Sequence, residues 1–157
     1  MRGTHLLIRR YLIGLGIATA IVVADLLTKR YAALNFDGNP VEIIPGFFGF
    51  TFVENPGGAF GMFQNGGVII GIAAVIITLV VLVALASERP MAETVALGLV
   101  IGGAVGNLVD RFARGDGIID GAVIDWVELW WIPTFNIADS SVTVAVALLL
   151  IHAWRSK

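Results

Sequence analysis

Residues 68–86 read VIIGIAAVIITLVVLVALA, a run of nineteen residues with no charged side chain. An α-helix needs about 20 predominantly apolar residues to cross a bilayer, so this run predicts a membrane-spanning helix. The rest of the chain has the same character, because 57% of its 157 residues are hydrophobic and only 14% are charged. Soluble domains carry about 25% charged residues. The sequence therefore predicts a small multi-pass membrane protein.

Three further segments are long and apolar, which gives four candidate spans at 11–33, 68–86, 94–109 and 137–154. The third is rich in glycine, and small residues allow neighbouring helices to approach closely. We predict an all-α membrane protein, a single domain over residues 1–157, with four transmembrane helices and a small β element. Strands are expected in the connections 34–67 and 110–136, where Phe48, Phe50 and Phe52 alternate as one face of a strand would.

The basic residues predict the orientation, because lysine and arginine favour the cytoplasmic side of a membrane. With both termini inside, six basic residues lie inside and four outside; the inner set is Arg2, Arg9, Arg10, Arg89, Arg155 and Lys157. Segments 34–67 and 110–136 are then extracytoplasmic. A cleaved signal peptide ending near residues 18–20 is an alternative. Because the apolar run continues beyond those residues, we expect it to remain as the first span.

Composition excludes several kinds of site. Ten basic and twelve acidic residues give a net charge of −2, so we expect no nucleic-acid partner. Cysteine is absent, and the two histidines, His5 and His152, lie near the termini on the expected inner side. A His-containing triad or a His- or Cys-ligated zinc site on the outer side is therefore excluded. A Ser–Lys pair of Ser140 or Ser141 with Lys29 has no support in the spacing.

Carboxylates remain as candidate reagents, and four lie near one interface: Asp110, Asp120, Asp125 and Asp139. Two carboxyl groups held close cannot both ionise, so one keeps a proton and the pair can activate water.

Each polar motif also has a purely structural interpretation. Asp25 and Lys29 are four residues apart and can pair on one helix face while the lysine reaches toward the interface. Asn107 to Asp110 can end a helix, with Arg111 neutralising the acid. Asn136 can cap the last span, with Asp139 favoured by the helix dipole.

Taken together, five motifs in order resemble lipoprotein signal peptidase (signal peptidase II). They are Asp25-Leu-Leu-Thr-Lys29, Asn55-Pro-Gly-Gly-Ala-Phe60, Gly102-Gly-Ala-Val-Gly-Asn-Leu-Val-Asp-Arg111, Val123-Ile-Asp-Trp126 and Phe135-Asn-Ile-Ala-Asp139. The resemblance implies a four-span bacterial inner-membrane aspartic protease whose active site lies near the extracytoplasmic face. It also implies a membrane-surface cradle of strands, no cofactor, and a substrate in the form of a diacylglyceryl-modified prolipoprotein cleaved before its lipidated cysteine.

The same resemblance implies the roles of individual residues. The catalytic pair corresponds to Asp125 and Asp139. The supporting residues correspond to Asp25, Lys29, Asn55, Gly57, Asn107, Asp110, Arg111 and Asn136. Membrane lipid is the expected environment, and we expect a monomer.

Asp120 competes with Asp125, because both follow two branched apolar residues and the segment after Arg111 is longer than in many relatives. Asp125 is preferred because an aromatic residue follows it, and Asp120 is expected to be a dispensable loop acid. Two other classes of protein remain as alternatives. One is a proton-coupled transporter with Asp25, Asp110 and Asp139 as a relay, although the acids crowd one boundary rather than the midplane. The other is a non-catalytic scaffold, which leaves the polar motifs unexplained.

Overall fold

The computed structural model describes residues 2–57 and 66–156, and in this part of the chain four helices carry a four-stranded antiparallel sheet. The helices are α1 (Arg2–Asn35), α2 (Gly67–Leu85), α3 (Met91–Ala113) and α4 (Ile137–Arg155). All four are long and apolar enough to cross a membrane. The predicted fold class is confirmed.

Two helices extend beyond the predicted spans. The first predicted span, 11–33, lies inside α1, and the third, 94–109, lies inside α3. Asp110 and Arg111 consequently belong to the last turns of α3 rather than to the connection 110–136. A helix that continues past the apolar run places its terminal polar side chains on a rigid element, which matters for the site described below.

Helix α3 is central and packs against the other three helices. Its glycines permit this, as the sequence predicts. A Cβ atom on Gly103 would lie 2.5 Å from the carbonyl oxygen of Ala138 on α4, and one on Gly106 would lie 2.7 Å from Asp25 Oδ2 on α1. Any larger residue at these two positions would push α1 and α4 away from α3.

The sheet has the order β1-β2-β3-β4, with β1 (Val41–Ile44), β2 (Phe48–Asn55), β3 (Val123–Leu129) and β4 (Ile132–Phe135). Strands β1 and β2 follow α1, and strands β3 and β4 follow α3. Because β2 pairs with β3, the sheet joins these two connections on the same side of the bundle. Strand β4 leads through Asn136 directly into α4.

The aromatic residues of β2 attach the sheet to the end of α1. Phe50 stacks on Phe36 with ring centroids 5.6 Å apart, and Phe48 meets Phe50 edge to face at 5.2 Å. The expected shared face is confirmed for these two strand residues. A register shift between Phe50 and Val53 interrupts the pairing with β3 before Phe52.

Candidate active site

Asp125 lies in the middle of β3 and is almost completely buried, with 2% of its surface exposed. Each of its carboxylate oxygens accepts a side-chain amide: Asn55 Nδ2 donates to Oδ2 at 2.9 Å, and Asn136 Nδ2 donates to Oδ1 at 2.7 Å. Burial raises the pKa of Asp125 to about 6, and the neighbouring charge of Asp139 adds to this rise. The two amides oppose the rise because they stabilise the ionised form.

Asp139 occupies the first turn of α4 and is only partly buried. Asn136 is the N-cap residue, and the two residues form a capping box: Asp139 N donates to Asn136 Oδ1 at 2.9 Å, and Asn136 N donates to Asp139 Oδ2 at 3.3 Å. The interpretation of Asn136 as a helix cap with Asp139 in the first turn is therefore confirmed. A helix N-terminus is also a favourable position for an acidic side chain.

Asn136 brings the two carboxylates into one site. Its side-chain amide donates to Asp125, and its backbone amide donates to Asp139. Asn107, on α3, completes the contacts of Asp139 by donating Nδ2 to Oδ1 at 2.8 Å. Two acids from separate elements, a strand and a helix start, therefore share one asparagine.

Lys29 lies beneath this pair and is buried, with 1% of its side chain exposed. Its ammonium group is 2.6 Å from Asp25 Oδ2, 2.9 Å from Asp110 Oδ2 and 2.9 Å from Asn107 Oδ1. The expected pairing with Asp25 is confirmed. The expectation that Lys29 reaches toward the interface is wrong, because the second carboxylate and the amide hold it inside the bundle.

Asp25 also has a second contact, because its Oδ1 accepts from the backbone N–H of Ala138 at 2.9 Å. Asp25, on α1, thereby supplies an acceptor for a backbone N–H in the first turn of α4, which has no partner within its own helix. The residue therefore links α1 to the start of the helix that carries Asp139.

Arg111 forms no ion pair with Asp110 in the described structure, which corrects the structural interpretation of that pair, and the two charges interact only through space. Asp110 instead pairs with Lys29 and with Arg114, whose Nε lies 3.0 Å from Oδ1. Side chains at adjacent helix positions point in different directions, whereas Arg114 is four residues on and lies on the same face. Arg114 was not among the predicted site residues, although its four-residue spacing from Asp110 was the available signal.

The buried guanidinium of Arg111 holds backbone carbonyls instead. Nη2 donates to the oxygen of Gly57 at 2.7 Å, and Nη1 lies 3.3 Å from that of Gly121 and 3.5 Å from that of Gly67. Gly57 also donates its N–H to Asn55 Oδ1 at 3.0 Å. Arg111 thus fixes the turn that orients Asn55. The last three residues of the predicted motif 55–60, Gly58, Ala59 and Phe60, lie outside the described residues.

Asp120 lies apart from this site. It is exposed, and its carboxylate accepts the N–H of Gly117 at 3.0 and 3.2 Å, which closes its own glycine-rich loop. Ser140 donates to Asn136 O, and Ser141 donates to the carbonyls of Ala138 and Leu99. In the described part of the chain Lys29 has no hydrogen bond or ion pair with either serine, so the geometry does not assemble a Ser–Lys pair.

The described residues contain no group of three or more His, Cys, Asp or Glu side chains placed to hold a metal ion. The site brings together a pair of acids, Asp125 and Asp139, around Asn136. Burial favours the protonated form of Asp125, Asp139 lies in the first turn of a helix, and amide donors hold both.

Comparison with known proteins identifies the family. The family profile described as signal peptidase (SPase) II matches residues 17–155, nearly the whole chain. The chain belongs to the signal peptidase II family. As a signal peptidase it is a protease, and its four candidate spans agree with a family of bacterial membrane enzymes.

Several relatives of this family are similar along most of their length. The chain is 43% identical over 140 residues to the lipoprotein signal peptidase of Symbiobacterium thermophilum, covering 87% of this chain and 90% of the relative. It is 39% identical over 136 residues to that of Rhodococcus jostii, covering 86% and 69%. A solved structure described as a bacterial membrane enzyme, determined by the in meso method, superposes with a TM-score of 0.80 at 29% identity, covering 91% of this chain and 88% of the other.

Proposed function

We propose that this signal peptidase is an aspartyl endopeptidase that removes the signal peptide from diacylglyceryl-modified prolipoproteins. It cleaves before the lipidated cysteine, with water activated between Asp125 and Asp139. The observation that carries the proposal is the shared asparagine: Asn136 donates to both carboxylates. The relatives named lipoprotein signal peptidase support the choice of substrate.

The charges around the site support a dyad that holds a single proton. The ionisable groups that are joined by ion pairs or interact through space are four carboxylates and three cations: Asp25, Asp110, Asp125 and Asp139 with Lys29, Arg111 and Arg114. If every group were charged, the cluster would carry one uncompensated negative charge. An uncompensated charge is costly in a buried site, so one carboxyl group keeps a proton.

The environments assign the proton to Asp125. This residue is buried on a strand and its pKa is raised to about 6, whereas Asp139 lies at a helix N-terminus, where the dipole stabilises an anion. Asp125 is therefore the acid and Asp139 the base. Because the two groups interact, the observed titration belongs to the pair.

The cleavage step then balances with one water and the two carboxyl groups. Asp139 takes a proton from the water as its oxygen attacks the scissile carbonyl carbon, and Asp125 gives its proton to the carbonyl oxygen. When the tetrahedral intermediate collapses, the proton on Asp139 passes to the nitrogen of the departing cysteine. Asp125 recovers a proton from the hydroxyl that becomes the new carboxyl group. The dyad ends with the single proton it had at the start.

Purified protein in detergent, incubated with a lipidated prolipoprotein, tests this function. We expect a signal peptide to be released and mass spectrometry to find the new terminus at the lipidated cysteine. The same precursor with its cysteine replaced by alanine should remain intact. Absence of cleavage by folded protein would contradict the proposed substrate, and equal cleavage of both precursors would contradict the lipid requirement.

We also propose that both termini are cytoplasmic and that the dyad faces the extracytoplasmic side. Six basic residues against four support this orientation. Reporter fusions after Arg89 and after Gly66 should report cytoplasmic and extracytoplasmic locations, respectively. An extracytoplasmic signal from the Arg89 fusion would reverse the orientation.

A further inference from the structure

Three asparagine side chains surround the dyad, and each turns its NH2 group toward a carboxylate. Asn55 and Asn136 donate to Asp125, and Asn107 donates to Asp139. An amide flipped by 180° would present its oxygen to the acid and repel the ionised form. The direction of each amide is therefore a functional property, and it depends on what holds the amide oxygen.

Backbone N–H groups hold two of these three amide oxygens. Gly57 N donates to Asn55 Oδ1, and Asp139 N donates to Asn136 Oδ1. Asn107 differs, because its Oδ1 accepts from the side chain of Lys29 at 2.9 Å. Asn136 Nδ2 also approaches this oxygen at 3.2 Å, but the same group is shared with a shorter contact to Asp125 and a contact to the carbonyl of Ile124.

We propose that Lys29 is a positioning residue of the proposed peptidase, which orients the Asn107 amide so that it donates to Asp139. The ammonium group is a donor only and cannot accept a hydrogen bond, so it permits one direction of the amide. Asp25 and Asp110 hold the ammonium group from the other sides at 2.6 and 2.9 Å. This contact chain from α1 through α3 to α4 points a hydrogen-bond donor at the base of the dyad.

Lys29 has two other routes to the dyad, and the test has to separate them. Its charge acts through space, and its ion pair with Asp25 supports the first turn of α4 through Ala138 N. The charged or titratable groups linked to the dyad by ion pairs or by charge interactions come from three elements: Asp25 and Lys29 on α1, Asp110, Arg111 and Arg114 on α3, and Asp125 on β3. Removing any one of their charges shifts the titration of the dyad, so a single substitution is not decisive.

A double-substitution cycle separates the route through Asn107 from the other two. The pH profile of kcat/KM is measured for wild type, Lys29→Met, Asn107→Ala and the double variant, and the midpoint of the acidic limb is compared. Lys29→Met should move this midpoint to higher pH in both backgrounds because a positive charge is lost. With Asn107 present the shift should be larger by about one pH unit, since a hydrogen bond to a charged group contributes about 1.5 kcal/mol or more.

Equal shifts in the two backgrounds would overturn the proposal and leave Lys29 as a source of charge or an ion-pair partner. Arg114→Met is the matched control, because it removes another cation from Asp110, and Arg114 forms no hydrogen bond with Asn107 in the described structure. Its shift should be the same with and without Asn107→Ala.

If Lys29→Met does not fold, the cycle is repeated with Lys29→Met and Asp110→Asn together, which removes one charge of each sign. The same excess shift is expected, and its absence would again overturn the proposal. Because the inference rests on the proposed peptidase, wild-type cleavage is established first. Cleavage without the excess shift refutes the role of Lys29 and leaves the function standing, whereas no wild-type cleavage refutes the function itself.

Discussion

Strand β3 and the first turn of α4 provide different electrostatic environments for a carboxylate. On β3, Asp125 is 2% exposed, and this burial raises its pKa to about 6 although two side-chain amides oppose the rise. At the start of α4, Asp139 is partly exposed, completes a capping box and lies where the helix dipole favours negative charge. The secondary structure around each carboxyl group therefore helps to determine which is the acid and which the base of the proposed dyad, in addition to the effect of each charge on the other.

The largest expected effect is on catalysis. Asp125→Asn and Asp139→Asn should each lower the turnover number at least ~10²-fold, because asparagine can neither give nor take the required proton. The double variant should be scarcely slower than either single variant, since the two groups act as one unit. Turnover on the lipidated precursor provides the measurement. Losses that multiply in the double variant would mean that the two acids act independently.

The next largest effect is expected on the pH dependence of folding stability, which Asp125 on β3 controls. In wild type the folded protein holds a proton on Asp125 between pH 3.8 and about 6 that the unfolded chain has released, so stability falls as pH rises through this window. Asp125→Asn removes this titration. The stability of the variant relative to wild type should therefore rise by at most about 3 kcal/mol from pH 4 to pH 7, measured by unfolding in detergent. A pH-independent difference would show that β3 does not disfavour the charge.

Asp139→Asn should change stability in the opposite direction and by less. The variant keeps a side-chain oxygen for the capping box but loses a negative charge at the N-terminus of α4, which costs about 0.5–1 kcal/mol. Unfolding at pH 7 under the same conditions is the measurement. A gain in stability similar to that of Asp125→Asn would show that β3 and the first turn of α4 do not differ in how they accommodate a negative charge.

The smallest effect is expected at Asp120. Its carboxylate closes its own loop through Gly117 and contacts neither member of the dyad in the described structure. Asp120→Asn should keep cleavage within about two-fold of wild type, because surface substitutions change free energies by roughly 0.5 kcal/mol or less. Strong loss of cleavage in this variant together with an active Asp125→Asn protein would transfer the acid role to Asp120.

Local sequence signals could predict much of this arrangement. The apolar runs predict the helices, the four-residue spacing predicts the Asp25–Lys29 pair, and Asn136 followed by Asp139 predicts a helix cap. The contact of Lys29 with Asn107 could not be predicted in this way, because 78 residues separate them and only the packing of α1 against α3 brings them together. The carbonyl contacts of Arg111 could not be predicted either, because any residue type can supply a backbone oxygen.

The central claim is that the dyad holds one proton and that Asp125 carries it. Infrared spectroscopy tests this directly, because a protonated carboxyl group has a carbonyl stretching band that the ionised form lacks. At pH 5 the wild-type spectrum should contain a band that is missing from Asp125→Asn and retained in Asp139→Asn, and in wild type it should disappear with a midpoint near pH 6. Identical spectra for wild type and Asp125→Asn at pH 5 would contradict the claim.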